Sequence, residues 1–281
     1  MFNGKYKKEA LELLKRANDT YQETYNQAVN DITQLHETRI KTAVPLLKGV
    51  ETYILSLRNR PKEYDKTVRE IVIRREKFEH ELHKLELEGQ KVDQVSGSLV
   101  GAGVVAGAGV AALGPSAAMA VAMTFGTAST GTAIATLSGA AATNAALAWL
   151  GGGALAAGGA GMIGGEAFLA LMGPVGWAIG GAALVSGGAL ASKKNKEIAQ
   201  KAEKSTREIK KVTEDITEKD IKVVAIHRTT KHLVEKMKPL LQHLDRCSHD
   251  YTKLSHNDKN KLILLLNAAE SLSKEIGAVV S

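Results

Sequence analysis

Apolar residues recur every three or four positions through the first third of the chain. Ala10, Leu14, Ala17, Tyr21, Tyr25, Ala28, Ile32 and Leu35 are separated by 4, 3, 4, 4, 3, 4 and 3 positions. That spacing lays them in one stripe along a helix. The stripe continues through Val44, Leu47, Val50, Ile54 and Leu57. Pro45 falls inside it and predicts a kink or a short break. Arg58, Asn59, Arg60 and Pro61 end the helix, because the residue before a proline avoids helical angles. A second helix is predicted from Val68, Ile71, Val72, Phe78, Leu82 and Leu85, running to Gly89. The last third repeats the theme. A long helix starts near Ser192, with the stripe Ile198, Ala202, Ile209, Val212, Ile216, Val224, Leu233, Met237, Leu241 and Leu244, and with Pro239 as a second kink. Ser255 to Asp258 is a turn rich in capping residues. A final helix carries Leu262, Leu265, Ala269, Leu272, Ile276 and Val279 in heptad spacing. Neither third offers an alternating β pattern.

Between these arms the pattern changes. Residues 94–192 hold 23 of the 27 glycines, none of the 37 Lys and Arg, and a single charge, Glu166. The chain thus divides into 1–93, an N-terminal long-helix arm; 94–192, an apolar glycine-rich region; and 193–281, a C-terminal arm that packs on the first. The predicted fold is all-α: an elongated antiparallel long-helix bundle with an apolar Gly/Ala-rich helical hairpin region between its two halves. The arms carry 66 of the 67 charged residues, which excludes a single-core enzyme with charge spread throughout. Cys247 is alone, so no disulfide framework exists. The first residues lack the apolar run of a cleavable signal, so the expectation is synthesis in the cytoplasm, followed by action at a membrane or release by a signal-independent route.

A membrane helix needs about 20 mostly apolar residues. Leu99 to Phe125 and Ala167 to Ala191 fit, and Thr132 to Leu150 fits less well. The candidate membrane-inserting residues are Leu99, Val100, Val104, Val105, Val110, Phe125, Trp149, Phe168, Leu169, Leu171, Val175 and Trp177. Gly97, Gly101, Gly103, Gly107, Gly161, Gly165, Gly176 and Gly180 stand four apart in pairs, a glycine-zipper spacing that lets helices pack closely in lipid. Alanine and glycine bury less apolar surface than leucine, so the block is suited to shelter inside a bundle and to enter lipid afterwards. Lys193, Lys194, Lys196 and Lys201 follow it directly and suit an anionic leaflet; the plainer reading is a solvated helix face with pairing one turn apart. Glu166 is a candidate pore or switch residue. The preferred reading is plainer, a glutamate at a helix start after Gly164 and Gly165.

No constellation for catalysis emerges, and no enzyme is expected. Gly101 to Gly107 lacks the preceding strand and the later acid of a dinucleotide site. His80 and His83 stand three apart without further ligands. His243, Cys247 and His249 near Asp245 form a loose set at a helix end. No metal and no cofactor is expected. The net charge of +7 is spread among acids, so nucleic acid is not an expected partner.

On the arms 4–93 and 193–281 and the nearly uncharged insertion 94–192, the layout resembles α-helical pore-forming toxins of the cytolysin A and hemolysin BL type. Those are long-helix bundles with an apolar tongue between helices. The glycine-rich run from Gly126 to Gly153 is similar to segments of uncharacterised bacterial membrane-associated proteins, and apolipoprotein L-like proteins share an apolar hairpin between amphipathic helices. The resemblance implies a non-enzymatic, membrane-inserting, pore-forming protein, a toxin or cell-death effector, that exposes 94–192, enters anionic lipid and forms a homo-oligomer, alone or with a second protein component. The alternative expectation is a constitutive membrane-anchored coiled-coil scaffold or interaction protein.

Overall fold

The computed structural model describes residues 3–96, 134 and 188–278. Among the described residues no strand is present, and five α-helices account for almost the whole architecture. They are α1 (Gly4–Thr38), α2 (Val44–Ser56), α3 (Lys62–Ser96), α4 (Gly188–Leu244) and α5 (His256–Glu275). The chain is an all-α helical bundle, as its periodicity predicts.

The stripe residues of the first helix are the buried ones. Ala10, Leu14, Tyr21, Ala28 and Leu35 face inward on α1, and Ala199, Ala202, Ile209, Ile216 and Val223 do so on α4. Asn3 Nδ2 donates to Ser192 O and to Ser192 Oγ, at 3.3 Å in both cases. Thr38 Oγ1 lies 3.0 Å from His227 Nε2. Both pairs are 189 positions apart, so α1 and α4 run parallel in a constant register over about 50 Å. The expectation of an antiparallel bundle is thereby refined. Antiparallel packing holds inside each half, where α3 returns along α2 and α5 returns along α4. The two long helices themselves are parallel. Stripe spacing reads the same in either direction, which is why the sequence does not distinguish them.

Between α1 and α2 the helix widens into a π turn, Arg39–Ala43. Pro45 lies just beyond it, in the first turn of α2. A proline removes one N–H and clashes with the carbonyl four residues back, and a π turn is one way a helix absorbs that. The helix therefore continues where the sequence predicts a kink. α3 likewise passes Gly89 and is described as far as Ser96, since a helical glycine costs only about 1 kcal/mol relative to alanine.

Beyond the π turn, α2, α3, α5 and the end of α4 form a head around one apolar core. Leu47, Val50, Ile54, Leu57, Met237, Leu244, Leu262, Leu265, Ala269, Leu272 and Ile276 are fully buried there. Gly49 lets α2 approach α4, for a Cβ there would meet Leu241 Cδ2 at 3.0 Å. Arg75 of α3 is buried and joins the head electrostatically, donating to Glu51 of α2 at 3.1 Å and pairing with Glu79. Lys48 extends the network to Glu79 at 2.6 Å. At the far end two chain reversals are tied together. Arg58 N donates to His249 O and Tyr251 N to Arg58 O, each at 2.9 Å. Asn59 adopts φ 54, a left-handed conformation that asparagine tolerates. Its Nδ2 donates to Asp250 Oδ1 at 3.1 Å. The Thr252 hydroxyl first, then this Asn59 bond and the Thr252 N–H, hold the Asp250 carboxyl down at about 2.

Candidate functional site at the joined helix starts

The parallel register places the beginnings of α1 and α4 side by side. Lys193, Lys194, Lys196 and Lys201 stand exposed on the first turns of α4. Lys5, Lys7 and Lys8 occupy the neighbouring turns of α1, with Lys5 and Lys8 exposed and Lys7 half-buried. Two short basic runs nearly 190 positions apart thus share one end. Lys5 reaches Glu9 at 3.7 Å and Lys8 reaches Glu12 at 4.0 Å. Such exposed pairs contribute well under about 1 kcal/mol, and they leave the end basic. The Tyr6 phenol donates to Glu203 across the pair, which pushes its pKa up.

The run at 5–8 was visible in the sequence, but nothing there set it beside 193–201. Only the direction of α1 relative to α4 does so. The apolar positions from Leu99 to Trp177, the paired glycines from Gly97 to Gly180, and Glu166 lie outside the described residues. Among the described residues, no helix is long and apolar enough to cross a membrane.

Farther along, the apolar seam of the long pair also takes in polar groups. Thr206, Lys219 and Thr230 of α4 and His36 of α1 are buried. Lys219 donates to Asp215 at 2.8 Å. Burial, and then the carboxylate of Asp31, push Asp220 up to about 6. Burial and Arg39 push His36 down. Burial and Lys231 do the same to His227. At the π turn Arg39 Nη2 donates to Glu275 O at 2.7 Å and to Ala278 O at 3.0 Å. It thereby closes the C-terminal end of α5, where free carbonyls and the helix dipole favour a cation.

The head holds a second group of chemically capable side chains. His243 Nε2 lies 2.8 Å from Asp258 Oδ1 and 3.8 Å from Cys247 Sγ. His243 is exposed, and Cys247 and Asp258 are half-buried. Two members of the set named from the sequence are absent from it. The ring of His249 packs edge-on against Tyr53 and its Nδ1 lies 2.8 Å from Ser56 Oγ, while Asp245 stays outside the cluster. The missed member is Asp258, whose place follows from its position in the first turn of α5. His80 and His83 are both exposed on α3.

No protein-family model matches the chain, and neither a curated protein nor a solved structure matches it.

Proposed function

We propose that this is a non-enzymatic protein that inserts residues 94–192 into lipid and oligomerises there into a pore, with the α-helical arms remaining on one side. One observation carries the reading. A stretch of 99 residues contains one charged side chain, and α4, which leads out of it, carries Lys193, Lys194 and Lys196 directly after it. An apolar segment of that length must be covered, since large exposed apolar patches drive association. The lysine-rich end supports an anionic surface as the partner, at about 1 kcal/mol per cation near the headgroups. The arms of one chain pack on each other, so a segment that crosses lipid and leaves them paired crosses an even number of times. The role is that of a toxin or cell-death effector.

The test is release of a trapped dye from vesicles containing anionic lipid. Release is expected with the intact protein, and its loss is expected when Gly103 and Gly107 are both replaced by lysine. Binding to vesicles without release at any protein concentration would exclude a pore. The parallel pairing of α1 and α4 supports a second reading, a permanently anchored coiled-coil scaffold. It predicts that the protein leaves membranes only with detergent, whereas the pore reading predicts a monodisperse species in plain buffer.

A further inference from the structure

The cluster at the α4–α5 turn has the composition of a metal site. His243 sits in the last turn of α4, and Cys247 follows three residues past its end, where Cys247 N donates to Leu244 O at 2.9 Å and Cys247 Sγ to His243 O at 3.4 Å. Asp258 comes from the first turn of α5. One nitrogen, one sulfur and one carboxylate oxygen lie within 4.8 Å of one another, which suits the edges of a small coordination shell. Asp258 is held from behind. Ser255 Oγ donates to Asp258 Oδ2 at 2.6 Å and accepts from Asp258 N at 3.1 Å. Oδ1 is thereby aimed at His243 by an outer partner, as carboxylate ligands commonly are.

The surroundings of His243 Nε2 give a second, independent indication. Asp258 Oδ1 approaches it at 2.8 Å and Lys261 Nζ approaches it at 3.0 Å. Nε2 has a single in-plane direction. Protonated, it serves the carboxylate and repels the ammonium; unprotonated, it serves the ammonium and repels the carboxylate. A cation placed between Nε2, Oδ1 and Sγ satisfies all three donors at once. Lys261 already brings one positive charge to that place on a flexible stem that is free to swing outward.

We propose that His243 Nε2, Cys247 Sγ and Asp258 Oδ1 bind a borderline-soft divalent cation of the zinc type and so clip α4 to α5. Mixed nitrogen, sulfur and oxygen donors select against magnesium and calcium, which take oxygen shells. Three protein ligands leave a fourth position for water, and the exposed edge of His243 gives water access. On binding, the thiol releases its proton to solvent and the sulfur donates as thiolate, with no change in oxidation state. The bound cation adds stability to the head in proportion to the logarithm of its concentration over Kd. This site is independent of the lipid reading.

The experiment is titration of the full chain with Co2+, followed by competition with Zn2+. A thiolate-to-cobalt charge-transfer band is expected, removed by excess Zn2+. Cys247→Ser abolishes it. His243→Gln and Asp258→Asn each weaken binding by about tenfold or more. Lys261→Met strengthens binding, because the competing ammonium is gone. Asp245→Asn and His249→Gln leave it unchanged. As a check independent of variant folding, Zn2+ slows the reaction of Cys247 with a thiol reagent in the unaltered protein. Absence of the charge-transfer band at millimolar Co2+, no Zn2+ protection of Cys247, or equal affinities for His243→Gln and the parent would each overturn the site.

Discussion

The head and the long pair mix their buried side chains in different proportions. The head buries Leu47, Ile54, Leu57, Leu262, Leu265 and Ile276 among four helical segments. The pair of α1 and α4 buries Leu14, Tyr21, Leu35, Ile209 and Ile216, but intersperses them with Ala10, Ala17, Ala28, Ala199 and Ala202 and with the polar Thr206, Lys219 and Thr230. Each buried CH2 contributes about 0.8 kcal/mol, so the alanine positions of the seam hold less than the leucines of the head. The seam's buried polar groups also cost free energy unless partnered. Regions that open first are drawn from the weaker end of such a contrast. Here the weaker region is the one that begins where residues 94–192 join α4. The difference teaches where a conformational change would start: at the lysine-bearing end of the pair, with the head as its fixed point.

The contrast breaks most visibly in cavity substitutions. Leu262→Ala in the head is expected to cost about 3–4 kcal/mol, and Leu14→Ala in the pair about 2 kcal/mol, the low end of the usual range. Chemical denaturation followed by circular dichroism gives both values. Equal losses, or a larger loss at Leu14, would remove the distinction between the two regions.

A smaller effect sharpens it. Asp220 lies in the seam with Asp31 on α1 nearby, and with His227, Lys219 and Arg39 in the same stretch. Its folded pKa of about 6 stands above the ordinary 3.8. A group raised in this way contributes fully below the unfolded value and loses that contribution as pH rises through the folded one. At pH 7 the ionised carboxylate therefore weakens the pair. Asp220→Asn is expected to stabilise the protein by about 1 kcal/mol at pH 7, after allowance for its partial exposure, and to change little at pH 4. His36 and His227, both pushed down, act in the opposite sense, since acid then favours the unfolded chain. Comparing the variant with the parent at each pH isolates Asp220 from them. A stabilisation that persists at pH 4 would mean that Asp220 does not titrate in the seam.

Much of the fold was legible because stripe spacing reports which helix face is buried, although on α4 the stripe's Val224 is exposed and Val223 takes the seam in its place. All eight stripe residues from Ala10 to Leu35 are buried, and Ser255 caps α5 by accepting from Asp258 N. The direction of α4 was not legible, because a 3-4 repeat has no polarity. The π turn was not legible either: Pro45 announces a disturbance but not its form, and the contact of Arg39 with the Glu275 and Ala278 carbonyls is long-range. The same blindness hid the basic end, where Lys5, Lys7 and Lys8 gain meaning only beside Lys193. It also hid Asp258, which reads as a capping residue until α5 folds back on His243.

The most direct measurement is hydrogen–deuterium exchange along the whole chain, with and without vesicles containing anionic lipid. The account predicts that amides within 94–192 gain protection on lipid, that the first turns of α1 and α4 change with them, and that head amides around Leu47 and Leu262 stay as they were. Identical exchange of 94–192 in the two conditions would contradict it.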